Sequence, residues 1–194
     1  MPDASSFPQT DMRRRILDAA ALLLAQNGYK ATTLRNIAET AGLKAGSIYY
    51  HFPSKDQITV EVLNEGVRQV SHAVQNALND TKNLDGARIM RAAVMAHLKA
   101  LSEHSSYTRA SIRCFSMVPE EIRQQTVEVR RAFDSDWLDI LKTVQAKGAI
   151  HTGTDLKSLH LIILGTLNWT LEWQGASDLE RAHLAQTLTS LILV

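Results

Sequence analysis

The sequence predicts an all-α fold of about nine helices, an N-terminal three-helix helix-turn-helix domain followed by a C-terminal helical bundle. Apolar residues make up 45% of the 194 residues and recur at helical spacing along most of the chain. Only 4 prolines and 9 glycines interrupt that pattern, and alternating β-branched runs are scarce. Residues 32–56 read as two short helices joined by a glycine turn, the arrangement of a DNA-reading device.

The first helix is expected from Asp11 to Asn27, with Ile16, Ala19, Ala20, Leu23 and Leu24 on one stripe and Gly28 as its stop. The second starts at Thr32 or Thr33, whose hydroxyl caps the first turn, and buries Leu34, Ile37, Ala38 and Ala41. Gly42 supplies the positive φ of a sharp turn, and Leu43 anchors it. The third helix, Lys44 to His51, crowds Lys44, Ala45, Gly46 and Ser47 into its first turn, which lets the helix end approach DNA. Tyr49, Tyr50 and His51 carry polar tips on aromatic bodies, suited to phosphate oxygens, sugars and thymine methyls. A plain αα-hairpin is the bland alternative, but a purely structural helix would bury more than Ile48 and Phe52.

A long helix follows from Ser54 to about Asn79, with Ser54 and Gln57 at capping-box spacing and a stripe of Ile58, Val62, Val67, Val70, Val74 and Leu78. Asp85 caps a helix carrying Ile89, Ala93, Ala96, Ala100 and Leu101, and a break falls at Glu103 to Ser106. A shorter helix contains Ile112, Cys114, Phe115 and Met117. Pro119 then opens a long helix with Ile122, Val129, Phe133, Trp137, Leu141 and Val144, ending at Gly148. The last two helices run from about Asp155 to Gln174 and from Ser177, paired with Glu180 in a capping box, toward Ile192. Both are apolar over a wide arc. Pairing them with a second copy would give a four-helix, two-fold interface.

Net charge is only +1, yet residues 1–57 carry +2 and residues 58–194 carry −1. Arg13, Arg14, Arg15, Lys44 and Lys55 are candidate phosphate contacts, Lys55 at a helix N-terminus. The arginine triplet is equally read as a solvated helix end. Thr33 and Arg35, at the start of the second helix, complete the candidate DNA-binding set. The single cysteine, Cys114, excludes an intramolecular disulfide and reads as a small buried hydrophobe. No histidine pair has zinc spacing, so no metal or other cofactor is expected. The N-terminus lacks a signal-peptide core and no window spans a bilayer, so a soluble, cytoplasmic protein with no membrane partner is expected.

Gly28-Tyr29, Thr33, Ile37-Ala38, Ala41-Gly42-Leu43, Gly46 to Phe52 and Ser54-Lys55-Asp56 match in order and spacing a known pattern. Over residues 13–60 the chain resembles the DNA-binding domain of the TetR family of bacterial transcriptional regulators. That resemblance implies a DNA-binding domain at 1–57 and a ligand-binding and dimerisation domain at 58–194. It also implies a homodimer, joined through the last two helices, that binds double-stranded operator DNA and releases it when a small molecule enters the C-terminal domain. Repression is the family default.

Gly165, Asn168, Trp169 and Trp173 fall on one side of a helix, either facing a ligand or filling core and interface space. The stretch Ile163 to Thr170 resembles a branch of the family some of whose members sense acyl-coenzyme A thioesters. Arg113, four residues after Arg109, could pair with phosphates of such a ligand. The full candidate effector set is Arg91, His97, Tyr107, Arg113, Phe115, Met117, Trp137, Asn168, Trp169 and Trp173. An efflux or stress regulator responding to a hydrophobic drug-like ligand is the alternative. An enzyme is disfavoured, because no phosphate loop, nucleophile elbow or H-E-x-x-H motif occurs. A protein-binding adaptor is the remaining rival.

Overall fold

The computed structural model describes residues 9–79, 81, 83–103, 105–173 and 177–194, and among them the chain forms nine α-helices, one 3-10 turn and no strand. The expected all-α fold is observed. Helix α1 (Gln9–Ala31) is broken near its end by Gly28, whose φ of 74° departs from helical geometry. Thr33 caps α2 (Leu34–Thr40), its hydroxyl oxygen accepting from the Asn36 N–H at 3.1 Å. At the other end Gly42, at φ 68°, donates to Glu39 O while Leu43 N–H donates to Ala38 O, which turns the chain and satisfies two orphan carbonyls. The chain then enters α3 (Ala45–His51) and α4 (Lys55–Leu78).

The remaining elements are α5 (Gly86–Glu103), α6 (Ser105–Cys114), α7 (Glu120–Ala146), α8 (Leu156–Trp169), the 3-10 turn Thr170–Glu172 and α9 (Asp178–Ile192). Asp85 caps α5, Asp155 caps α8, and Ser177 with Glu180 forms the expected reciprocal box on α9. Two boundaries differ from expectation. Helix α6 stops at Cys114, so Phe115 and Met117 fall in the turn before Pro119 rather than on the helix. Helix α8 stops at Trp169, where Thr170 tightens the chain into the 3-10 turn by donating its hydroxyl to Leu167 O at 2.6 Å. Gln174, the expected helix end, lies outside the described residues.

Packing divides the chain into two compact units, Met1–Gly66 with Ser106–Val127, and Val67–Ser105 with Glu128–Val194. The first has a core of Ile16, Ala20 and Leu24 from α1, Ile37 and Ala38 from α2, and Ile48 and Phe52 from α3 and its end. Ile58, Val62 and Leu63 of α4 join it, as do Ala110, Cys114, Val118 and Ile122. Thus α6 and the start of α7 close the core beneath the helix-turn-helix. Cys114 is buried there with its thiol directed at Leu24 O, and burial pushes its pKa up, which fits an inert hydrophobe. In the second unit α5 packs on α8 and α9, and Met90, Val94, Leu98, Trp137, Leu141, Ile163 and Leu167 are buried.

Helices α4 and α6 approach closely at Gly66, where an added Cβ would lie 2.4 Å from Tyr107 O and 2.8 Å from Ser111 Cβ. Ser111 uses that proximity to donate to Leu63 O at 2.9 Å. Alanine at 66 gains about 1 kcal/mol of helix propensity but must push two backbones apart. Gly66→Ala is therefore expected to lower stability by about 2 kcal/mol in urea unfolding, the overpacking term winning.

Candidate nucleic-acid interface

Helix α3 has seven residues, too few to be stable alone, and is fixed by what it buries. Ile48 and Phe52 are fully buried, each contributing about 1.5–3 kcal/mol. The opposite side is presented to solvent: Lys44, Gly46 and Ser47 are exposed, Tyr49 is 61% exposed and Tyr50 77%. The side chain of Ala45 lies outside the described residues. His51 is half-buried, its ring edge-on to Tyr50 at 5.2 Å. Lys44 occupies the N-cap of α3 without a side-chain capping bond, where a self-contained helix favours Ser, Thr, Asp or Asn. Thr33 and Arg35 are exposed at the start of α2, Arg35 paired with Glu39 at 2.9 Å. Asn36, absent from the expected set, is exposed beside Thr33 and accepts its hydroxyl at 2.9 Å; the T-x-x-N cap spacing was the available signal.

Two expected phosphate contacts are turned to internal partners instead. Arg13 donates to His51 O at 3.1 Å, pairs with the Glu61 carboxylate and lies 4.2 Å over the Phe52 ring. Lys55 donates to Tyr29 O and Thr32 O, both at 3.0 Å, and sits 3.9 Å over the Tyr29 ring. Its ammonium thereby satisfies carbonyls at the end of α1, where cations are favoured. Tyr29 in turn donates its hydroxyl to Asp56 at 2.6 Å. Desolvation, then that hydrogen bond, pushes its pKa up to about 12. Arg15 reaches from α1 to Ala41 O at 2.6 Å and holds the turn. Arg14, with its side chain 3.9 Å from Asp18, stays exposed.

The expected effector candidates are distributed over both compact units. Tyr107, Arg113, Phe115 and Met117 belong to the first compact unit, where Tyr107 donates to Asp18 at 2.7 Å. Arg91, Trp169 and Trp173 are exposed on the second, and an added Cβ at Gly165 meets nothing within 4 Å. Within the second unit His97, Trp137 and Asn168 come together. His97 Nε2 faces Asn168 Oδ1 at 3.3 Å, and its ring lies 5.7 Å from that of Trp137 and 6.0 Å from that of Phe133. Burial holds the His97 imidazole down at about 4, against the opposing Asn168 hydrogen bond, so it is neutral at pH 7. Among the described residues His97 Nδ1 and Trp137 Nε1 meet no hydrogen-bond partner. An orphaned buried polar atom costs about 1–3 kcal/mol.

The described residues contain no cluster of metal-ligand type and no helix long and apolar enough to cross a membrane. Residues 16–62 match the family described as bacterial regulatory proteins, tetR family, and residues 85–193 match the tetracyclin repressor-like C-terminal domain. The HTH-type transcriptional repressor KstR2 of Mycolicibacterium smegmatis is 26% identical over 200 residues, covering 99% of this chain and 93% of the relative. The fatty acid metabolism regulator protein of Bacillus subtilis is 27% identical, covering 81% and 80%. The crystal structure of the TetR family regulator PfmR from Thermus thermophilus superposes with a TM-score of 0.78 at 25% identity, covering 93% of this chain and 95% of that one. The chain is therefore a member of the TetR family of helix-turn-helix transcriptional regulators.

Proposed function

We propose that this regulator is a repressor that binds a roughly palindromic operator as a homodimer and leaves it when an apolar, acyl-bearing molecule such as an acyl-coenzyme A thioester enters the C-terminal domain. In this reading residues 1–57 read DNA and residues 58–194 bind ligand and pair the protomers. The observation that carries it is the presentation of α3, with Tyr49 and Tyr50 outward over a buried Ile48 and Phe52. Helix α3 enters the major groove, and Lys44, Thr33 and Arg35 flank it toward the phosphates. The repressor and fatty-acid-metabolism relatives support the regulatory sense and the lipid-like class of effector.

The dimer reading is supported by large apolar side chains left open on the last two helices. Leu161, Ile162, Trp169, Leu179 and Leu191 are each at least 60% exposed. Pairing with the same face of a second copy covers them and gives the two-fold pair of α3 helices that a palindromic operator requires. Leu161→Glu is expected to yield monomers by analytical ultracentrifugation and to lose operator binding by tenfold or more. A stable dimer in that variant would remove α8 from the interface.

Fluorescence anisotropy on DNA from upstream of the protein's own gene tests the DNA reading. Tyr49→Ala or Tyr50→Ala is expected to weaken binding by about 1–3 kcal/mol and to relax sequence preference. Lys44→Ala should weaken all sequences alike and reduce the salt slope by about 1. Lys55→Ala should instead lower the melting temperature, with DNA affinity falling only as folded protein is lost. Normal affinity in all three α3 variants would place recognition elsewhere. Linkage adds a further expectation: operator DNA must weaken thioester binding by the factor by which the thioester weakens operator binding. Titration calorimetry giving one thioester affinity with and without operator would exclude this release mechanism.

A further inference from the structure

We infer that the His97–Trp137–Asn168 cluster is the polar end of the effector site and takes a neutral hydroxyl group borne on an apolar molecule. The inference rests on the effector-binding reading above and names the chemistry of its ligand. All three residues lie in one compact unit, on α5, α7 and α8. His97 is 1% exposed and Trp137 0%, yet His97 Nδ1 and Trp137 Nε1 have no hydrogen-bond partner among the described residues. Buried polar side chains in folded proteins are nearly always paired. Two atoms orphaned among the described residues, on neighbouring rings, mark a place that an external partner can fill.

The atoms also define that partner. Asn168 Oδ1 faces His97 Nε2, and a carbonyl oxygen only accepts, so Nε2 carries the imidazole proton and Nδ1 keeps its lone pair. Trp137 Nε1 only donates. The cluster therefore displays one acceptor and one donor, the complement of a hydroxyl. A ketone satisfies the indole and leaves the imidazole orphaned. A carboxylate has no proton for Nδ1 and brings a charge that this cluster does not neutralise, because His97 is itself held neutral by burial. The rings of Phe133 and Trp137 beside His97 supply apolar surface for the carbon skeleton.

The chain has 3 tryptophans, so W169F/W173F leaves Trp137 as the sole indole and its emission as a local reporter. Titration of that protein with 2-decanol, 2-decanone and decanoate is expected to shift Trp137 emission, with the alcohol binding at least tenfold tighter than the ketone and decanoate weakest. Adding H97F should erase the alcohol's advantage over the ketone; it removes the orphaned Nδ1 together with the Nε2 partner of Asn168, so the comparison is made at matched folded fraction. Equal or tighter binding of ketone or decanoate overturns the assignment, as does emission that none of the three moves. Anisotropy on upstream DNA with the unsubstituted protein and the same ligands separates the two readings. Release by a thioester with Trp137 emission unmoved keeps the effector reading and overturns this one. Alcohol binding at Trp137 with DNA affinity unmoved by alcohol and thioester alike keeps the hydroxyl assignment and overturns the effector reading.

Discussion

Arg13 reaches from α1 to the end of α3, where it bonds the His51 carbonyl, pairs with Glu61 of α4 and covers the Phe52 ring. One side chain thus ties the first, third and fourth helices together. The tie matters because α3 is two turns long, and helices of that length do not persist in water on propensity alone. A hydrogen bond from a charged donor contributes about 1.5–3 kcal/mol, comparable to the burial of Ile48 or of Phe52. Together they hold in place a helix whose outward face contributes no burial of its own. The surface offered to DNA is therefore rigid because of residues that face away from it.

Lys55 repeats this logic at the junction of α1 and α4. It satisfies the carbonyls of Tyr29 and Thr32, while Tyr29 bonds the neighbouring Asp56. The residues by which the chain resembles its family accordingly divide in two. Gly28, Tyr29, Gly42, Lys55 and Asp56 build the frame, whereas Gly46, Ser47, Tyr49 and Tyr50 are held out from it. The second compact unit shows a different use of polarity. There His97 and Trp137 are fully buried with polar atoms facing inward, an arrangement that costs stability unless something pairs with them.

What the sequence made legible was local. Thr33, Asp85 and Ser177 act on backbone groups three residues away, and Gly42 acts within its own turn, so spacing alone identified them. The internal partners of Arg13 and Lys55 were not legible, because they lie 38 and 48, and 23 and 26, residues away, and a run of cations looks the same whether it faces phosphate or a helix end. The grouping of the effector candidates was illegible for the same reason. Periodicity placed His97, Trp137 and Tyr107 on apolar faces, but only packing decides which faces meet, and Tyr107 meets Asp18 of α1. Phe115 and Met117 were carried past the helix end because no glycine or cap marks the stop at Cys114.

The account turns on α3 being the surface that DNA covers. Hydroxyl-radical footprinting of the free protein and of its complex with upstream DNA, read by mass spectrometry, addresses this directly through the chain's 4 tyrosines. Tyr49 and Tyr50 should oxidise readily in the free protein and be protected in the complex, while Tyr29 and Tyr107, engaged with Asp56 and Asp18, should not change. Undiminished oxidation of Tyr49 and Tyr50 in a saturated complex would contradict the assignment of α3 as the reading helix.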